Sequence, residues 1–217
     1  MKNKIYKLIH VFEDEWLYKK QIVENRLKHI LGVTKYKIGA RKCVIKEITP
    51  QLKNKFLEKY HIQGEDRSSI KLGAFYKNHL VAVMTFGKAR FNKNYKWELI
   101  RFCTVGSFTI IGVANKLLNF FINKFNSDKN DIISYADRRW SVGGLYKVLG
   151  FELLRTSKPN YWYLIDKGRK HRFNFRKSKL KNMQFYHIGL TEWEIMQLNS
   201  IDRIWDCGNY CFEYKAL

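Results

Sequence analysis

Residues 97–125 read WELIRFCTVGSFTIIGVANKLLNFFINKF, and residues 131–151 read DIISYADRRWSVGGLYKVLGF. The first block holds an apolar run, a glycine-bearing turn and a long stretch whose apolar residues recur at helical spacing. The second holds a buried run and a short helix that ends in Gly150-Phe151. Together they predict a β-α-β-α unit. A helix start leaves several backbone N–H groups unpaired and adds partial positive charge at the same spot, so the start placed over residues 109–114 is a place to bind an anionic ligand.

Around that unit, 217 residues are enough for one main domain with extensions, and 46% hydrophobic content with 16% aromatics is a globular composition. Forty-one Lys plus Arg against 19 Asp plus Glu leave a formal +22. Such an excess repels itself unless a polyanion offsets it, which points to DNA or RNA as partner. An anionic small ligand and a Lys-rich codon bias are the two other sources of the charge. Cys43, Cys103, Cys207 and Cys211 are scattered, which fits reduced core thiols better than half a zinc site at Cys207 and Cys211, so no metal is expected. No apolar run approaches the roughly 20 residues that span a bilayer. Met1-Lys2-Asn3-Lys4 leads into no signal-peptide core, so the expectation is a cytoplasmic protein with no membrane partner.

Residues 5–12 read as a strand, and Glu13-Asp14-Glu15 opens a helix to about Leu31 with Gly32 as its stop. The triplet is either a helix-start charge cluster or a set of metal-binding carboxylates. Residues 37–47 read as one strand, and Thr49-Pro50 start a helix to about Tyr60. Residues 70–76 and 80–86 form a hairpin, and a basic loop over 88–96 follows. Residues 152–156 and 161–166 pair across a turn. Residues 167–181 hold eight Lys or Arg, no acid, and Phe173 and Phe175 between them, a pattern suited to a phosphate backbone. Thr191 and Glu194 match a capping box, and residues 201–205 and 210–214 read as a closing hairpin. The nucleic-acid-binding candidates are Lys88, Arg90, Arg138, Arg139, Arg169, Lys170, Arg172, Arg176 and Lys177. Glu98 and Asp137 are the candidate bases, with salt bridging to Arg101, Arg138 or Arg139 as the other use of their charge. His61 and Gln63 fall in a turn that can face the same cleft.

The element order resembles the GNAT acyltransferase fold over residues 37–166: α/β (α+β), a mixed central sheet flanked by helices. Two motifs about 35 residues apart carry the resemblance: Thr109-x-x-Gly112-x-Ala114, similar to the family's pyrophosphate loop, and Tyr146-x-x-x-Gly150-Phe151, similar to its helix end. The resemblance implies that amides at Gly112, Val113 and Ala114 hold the pyrophosphate of acetyl-CoA or another acyl-CoA. It also places Tyr146 where the departing thiolate is protonated, a role that competes with core packing of its ring. Thr109 stands where the family has Gln or Arg.

A second resemblance covers nearly the whole chain. LIHVFEDEW, ARKC, HIQG, MTFGKAR, ELIRFC and RIWDCG are similar to the C-terminal region of phage homing endonucleases of the very-short-patch-repair-like type. In those proteins a nuclease domain precedes LIHVFEDEW, so the resemblance implies that this chain has lost it and that 1–36 are an N-terminal remnant, while 167–217 read as a basic arm with helix and hairpin. ELIRFC, ISYAD and LYKVLGF resemble, more loosely, the phage Mom proteins, GNAT-fold enzymes that modify adenine in DNA. The expectation is a phage protein of the bacterial cytoplasm that transfers an acyl-type group to DNA, nuclease activity being absent from this chain. A DNA-targeting module without catalysis is the alternative, and a transferase for protein or small amines is a third.

Overall fold

A computed structural model of the chain describes residues 7–216. In order these form α1 (Glu13–Ile30), β1 (Tyr36–Gly39), β2 (Val44–Glu47), α2 (Pro50–Tyr60), β3 (Ile70–Tyr76), β4 (His79–Lys88), β5 (Trp97–Thr104), β6 (Phe108–Ile111) and α3 (Val113–Phe125). Then follow β7 (Ile132–Asp137), α4 (Gly144–Val148), β8 (Glu152–Thr156), β9 (Tyr161–Ile165), β10 (Gly168–His171), α5 (Glu192–Leu198), β11 (Arg203–Trp205) and β12 (Asn209–Tyr214). The central seven-stranded sheet runs β2-β3-β4-β5-β7-β12-β8 and is antiparallel except where β5 meets β7. This is the mixed α/β class expected. Among the described residues, no helix is long and apolar enough to cross a membrane.

Local chemistry accounts for most boundaries. The Thr49 hydroxyl accepts from the Leu52 amide at 3.2 Å, and Pro50 sits in the first turn of α2. Lys77 and Asn78 adopt φ of +47° and +64°, the left-handed pair that a tight two-residue hairpin between β3 and β4 requires. α3 buries Val113, Ala114, Leu117, Leu118 and Phe121 along one stripe, and the Phe121 ring stacks on Phe86 of β4 at 3.6 Å. Because side chains alternate along a strand, Ala82, Met84 and Phe86 join this core, whereas Val83 packs with Phe56 and Leu57 of α2 on the opposite face. Each fully buried Leu or Phe contributes about 1.5–3 kcal/mol.

Several sequence expectations are corrected by pairing. Residues 7–12 form no strand, because Phe12 turns under α1 between the Arg139 and Arg169 guanidiniums at 4.3 and 3.8 Å; Ile5 and Tyr6 lie outside the described residues. The single strand expected over 37–47 is split by a tight turn at Ala40–Lys42, so β1 pairs with β6 and β2 joins the main sheet. β8 and β9 do not pair with each other: β8 takes β12, and β9 lies between β10 and β11 in a separate three-stranded sheet. Likewise β11 and β12 form no hairpin. Residues 157–208 are therefore an insertion between two neighbouring strands of the central sheet. The insertion has its own core of Tyr163, Leu180, Ile195 and Met196, with Phe175 against it.

Gly143 caps α4 at φ +82°, and a Cβ there would strike the Phe212 ring, which the Tyr146 ring also stacks upon. Gly143→Ala combines left-handed strain with overpacking and is expected to cost about 2–4 kcal/mol in urea unfolding. A loss below about 1 kcal/mol would show that Phe212 moves aside freely.

Candidate functional site

The N-terminus of α3 is open. Its cap, Gly112, holds φ +80° and offers no side chain, and among the described residues no acceptor meets the amides of Val113, Ala114 or Asn115. A Cβ at Gly112 would find only Ala40, at 3.8 Å, so glycine is needed there for its backbone angle rather than for lack of room. A cavity of about 250 Å³ lies against this end, lined by Thr109, Gly112, Val113, Ala114, Leu145 and His29 among others. The helix begins at Val113, later than the sequence suggested. Thr109 belongs to β6, and its hydroxyl lies 2.6 Å from that of Thr34, so the cap and amides face the cavity without Thr109 as a fourth member of the helix start.

β5 and β7 run side by side only from Trp97 opposite Ile132 to Leu99 opposite Ser134, then separate. The physical cause is on β5. Thr85 pairs with Arg101 and Phe86 with Leu99, which leaves Ile100 as an extra residue that bends the strand away. At the fork, the Ser134 hydroxyl donates to the Leu99 carbonyl at 2.8 Å and lies 3.0 Å from the Tyr146 hydroxyl. Beyond it opens a gap of about 160 Å³ lined by Arg26, His61, Gln63, Arg101, Tyr135, Asp137, Trp140 and Tyr146. This gap shares Phe102 and Leu145 with the α3 cavity. On its other side it shares Gln63, Arg101, Tyr135 and Asp137 with a wide cleft of about 610 Å³. The cleft is completed by Arg90 and Phe91 of the basic loop and by Trp162, Arg169 and His171 of the insertion.

Burial dominates the electrostatics of the gap. Tyr146 is pushed above its ordinary value by burial, so its hydroxyl holds its proton at neutral pH. His61 is pushed well below its ordinary value by burial and by the nearby Arg101 and Arg26 charges. Its Nδ1 accepts from the Gln63 amide at 3.2 Å, which leaves the proton of the neutral ring on Nε2. His61 thus lines the gap and Gln63 lines both the gap and the cleft.

The two candidate bases are both ion-paired. Glu98, 1% exposed, accepts from Arg90 Nε at 3.2 Å and Nη2 at 2.5 Å. Asp137 accepts from Arg139 Nε at 3.1 Å and Nη2 at 2.7 Å. Arg90 and Arg139 are therefore the partners, with Arg101 and Arg138 uninvolved. Arg139 also binds Glu15 at 2.9 and 3.0 Å, and Arg169 binds Asp14 at 2.8 Å and Glu15 at 2.9 Å. Asp14 and Glu15 of the acidic triplet are thus a structural anchor that ties α1 to the insertion and to the end of β7.

The nucleic-acid candidates divide accordingly. Arg139, 5% exposed, gives Nε, Nη1 and Nη2 to acceptors of the chain, whereas Arg169 gives Nε and Nη2 to Asp14 and Glu15 and keeps 14% of its side chain exposed at the wide cleft. Lys88, Arg138, Lys170 and Arg176 are exposed; Arg90 is half-exposed over the Phe91 ring, and Arg172 lies over Tyr161 and Phe173. Lys177 donates to the Ile188 carbonyl. Residues that sequence reasoning missed are Ser134, Arg26, Tyr135 and Trp140. An arginine inside the apolar run ELIRFC was a signal for Arg101 that went unused. Arg26, on a helix rich in charge, carried none.

No family model matches the sequence, and no curated protein matches it. Among solved structures, the chain is similar to a GNAT family acetyltransferase from Elizabethkingia anophelis with acetyl-CoA bound, at 14% identity and TM-score 0.46 over 80% of this chain and 98% of that one. It is similar to an IAA acetyltransferase from Bacillus cereus, at 13% identity and TM-score 0.44 over 80% and 99% of the two chains. A third similarity is to aminoglycoside 6'-acetyltransferase type Ii, at 12% identity and TM-score 0.45 over 80% and 97%.

Proposed function

We propose that the chain is an acyl-CoA-dependent transferase whose acceptor is an amine of a nucleic acid. The observation that carries this is the row of three adjoining cavities, from the open end of α3, through the fork between β5 and β7, to the wide cleft on the other side, each sharing wall residues with the next. The residues fit a phosphorylated donor: the free amides of Val113 and Ala114 and the bare Gly112 cradle suit a pyrophosphate. When bound, the acyl-CoA supplies an activated thioester. Tyr146 holds a proton at its buried hydroxyl for the sulfur that leaves, and Ser134 fixes the direction of that hydroxyl. Asp137 faces both gap and cleft with its side chain 20% exposed, so it is the group placed to take the amine's proton. Glu98 shapes the loop through Arg90 instead. A base amine is already neutral at pH 7, so a weakly basic carboxylate suffices to collect its proton.

A nucleic-acid acceptor is supported by the formal +22, by Arg90 and the 70% exposed Phe91 ring at the cleft mouth, and by the resemblance to the Mom proteins. A duplex base would reach the cleft only flipped from its stack. Two measurements test the two halves. Gly112→Trp places a bulky side chain on the open helix end and is expected to abolish acetyl-CoA binding in calorimetry while DNA binding persists. Changing Lys88, Arg138, Lys170 and Arg176 to Glu is expected to lower the salt slope of DNA affinity by about one for each phosphate no longer neutralised. If wild type binds DNA but no acyl-CoA, the non-catalytic targeting module is the function. If it binds an acyl-CoA but shows no salt-dependent DNA affinity, the acceptor is not a nucleic acid.

A further inference from the structure

The chain pairs its buried cations with carboxylates almost everywhere. Lys53 has Asp66, Arg139 has Glu15 and Asp137, and Arg169 has Asp14 and Glu15. Arg26 and Arg101 break this pattern: among the described residues neither has a carboxylate within salt-bridge distance. The Nε atom of each is buried with no hydrogen-bond partner. Arg101 gives one bond, from Nη1 to the Ile100 carbonyl, and Arg26 lies over the Trp140 ring at 4.8 Å. Burial pulls both guanidiniums below their ordinary value, and the more distant carboxylates, Asp137 and Glu15 for Arg26 and Asp66 and Glu98 for Arg101, do not offset it.

Both arginines line the same gap, and their neighbours there are also donors. The neutral His61 keeps its proton on Nε2, and the Trp140 Nε1 is buried without a partner. Asp137, the acid on this wall, is taken up by Arg139. A small enclosure with two unpaired cations and surplus donors is complementary to an anion, and a guanidinium fork fits a carboxylate with two parallel bonds. At about 160 Å³ the gap admits the end of a short chain, whereas the phosphates of a polymer remain in the wide cleft. The gap adjoins both the α3 cavity and the wide cleft, so the free end of a group carried by a donor at α3 can enter it.

We propose that Arg26 and Arg101 bind a carboxylate carried on the free end of the transferred acyl group, so that the preferred donor is a dicarboxylic acyl-CoA rather than acetyl-CoA. This rests on the transferase reading above and narrows its donor. Calorimetry on the full chain with succinyl-CoA, acetyl-CoA and free succinate tests it. Wild type is expected to bind succinyl-CoA about 10–100-fold more tightly than acetyl-CoA. Arg101→Met is expected to bring the succinyl ester down to the affinity of the acetyl ester, with Arg26→Met acting in the same direction. Because each variant removes a buried unpaired charge, its thermal midpoint should hold or rise, so a loss of preference is not a loss of fold. Equal binding of the two esters to wild type overturns the carboxylate site and leaves the transferase reading intact. If neither ester binds but free succinate does, and Arg101→Met abolishes that binding, the anion site stands and the acyl-CoA reading falls. Binding of none of the three overturns the site.

Discussion

Arg139→Met is expected to lower stability by about 3–5 kcal/mol, the loss typical of breaking a buried ion pair from one side. Arg139 gives Glu15 two bonds at 2.9 and 3.0 Å and Asp137 two more at 3.1 and 2.7 Å, and it covers the Phe12 ring. Without it Asp14 and Glu15 keep only Arg169 as a salt-bridge partner, and Asp137 keeps none. Glu15 is the costly one, because it is 5% exposed and water cannot replace the lost donors. The double replacement Arg139→Met with Glu15→Leu is therefore expected to recover most of the loss, since Asp137 can be hydrated from the cleft. Urea unfolding of the two single variants and the double variant gives the coupling directly. A single-variant loss under about 1 kcal/mol would show that these acids find water and that the network is not what holds the insertion to the core.

Tyr146→Phe is expected to lower acyl transfer by at least about 10²-fold while costing about 1–1.5 kcal/mol of stability or less. The two effects separate because the ring and the hydroxyl do different things. The ring stacks on Phe212 at 4.5 Å and meets Phe151 edge-on at 5.6 Å, and phenylalanine preserves both contacts. The hydroxyl touches Ser134 at 3.0 Å and holds the proton that the leaving sulfur needs. Burial keeps that proton in place across the neutral range, so the wild-type rate should show no Tyr146 titration between about pH 6 and 9. Single-turnover rates and urea unfolding on the same variant decide the matter. Unchanged turnover with reduced stability would make Tyr146 a core residue only.

Features encoded within a few residues were legible in the sequence. Thr49 with Pro50, the Lys77-Asn78 turn, and Thr191 capped by Glu194 all stand where local chemistry placed them. The helix-stop at Gly32 and the apolar stripe of α3 are of the same kind. Strand partners were not legible, because pairing depends on which edge is free after the rest has folded: β8 and β9 looked like neighbours across a turn, yet each finds its partner elsewhere. The acidic triplet read as a helix-start cluster or a metal site because its ligands are Arg139 and Arg169, 124 to 155 residues away. The sequence offers Arg101 as a counter-ion for Glu98 or Asp137 and gives Arg26 no mark, since the absence of a partner has no local signature. The gap beside Tyr146 required the fork at Leu99, which follows from one unpaired residue in a strand that otherwise reads as regular.

The insertion between β8 and β12 begins and ends at one point. The Ser157 amide donates to the Asn209 carbonyl at 2.8 Å, and the Asn209 amide donates to the Ser157 hydroxyl at 2.8 Å. A segment whose two ends already touch behaves as a cassette. It can be excised and its ends rejoined by a short turn, or exchanged for a foreign module, without displacing the sheet that carries it. Trimming the chain back from its C-terminus does the opposite: it strips out β12 from between β7 and β8 and leaves β8 with no neighbour. Modular engineering of this scaffold has to cut inside the polypeptide, not at its tail.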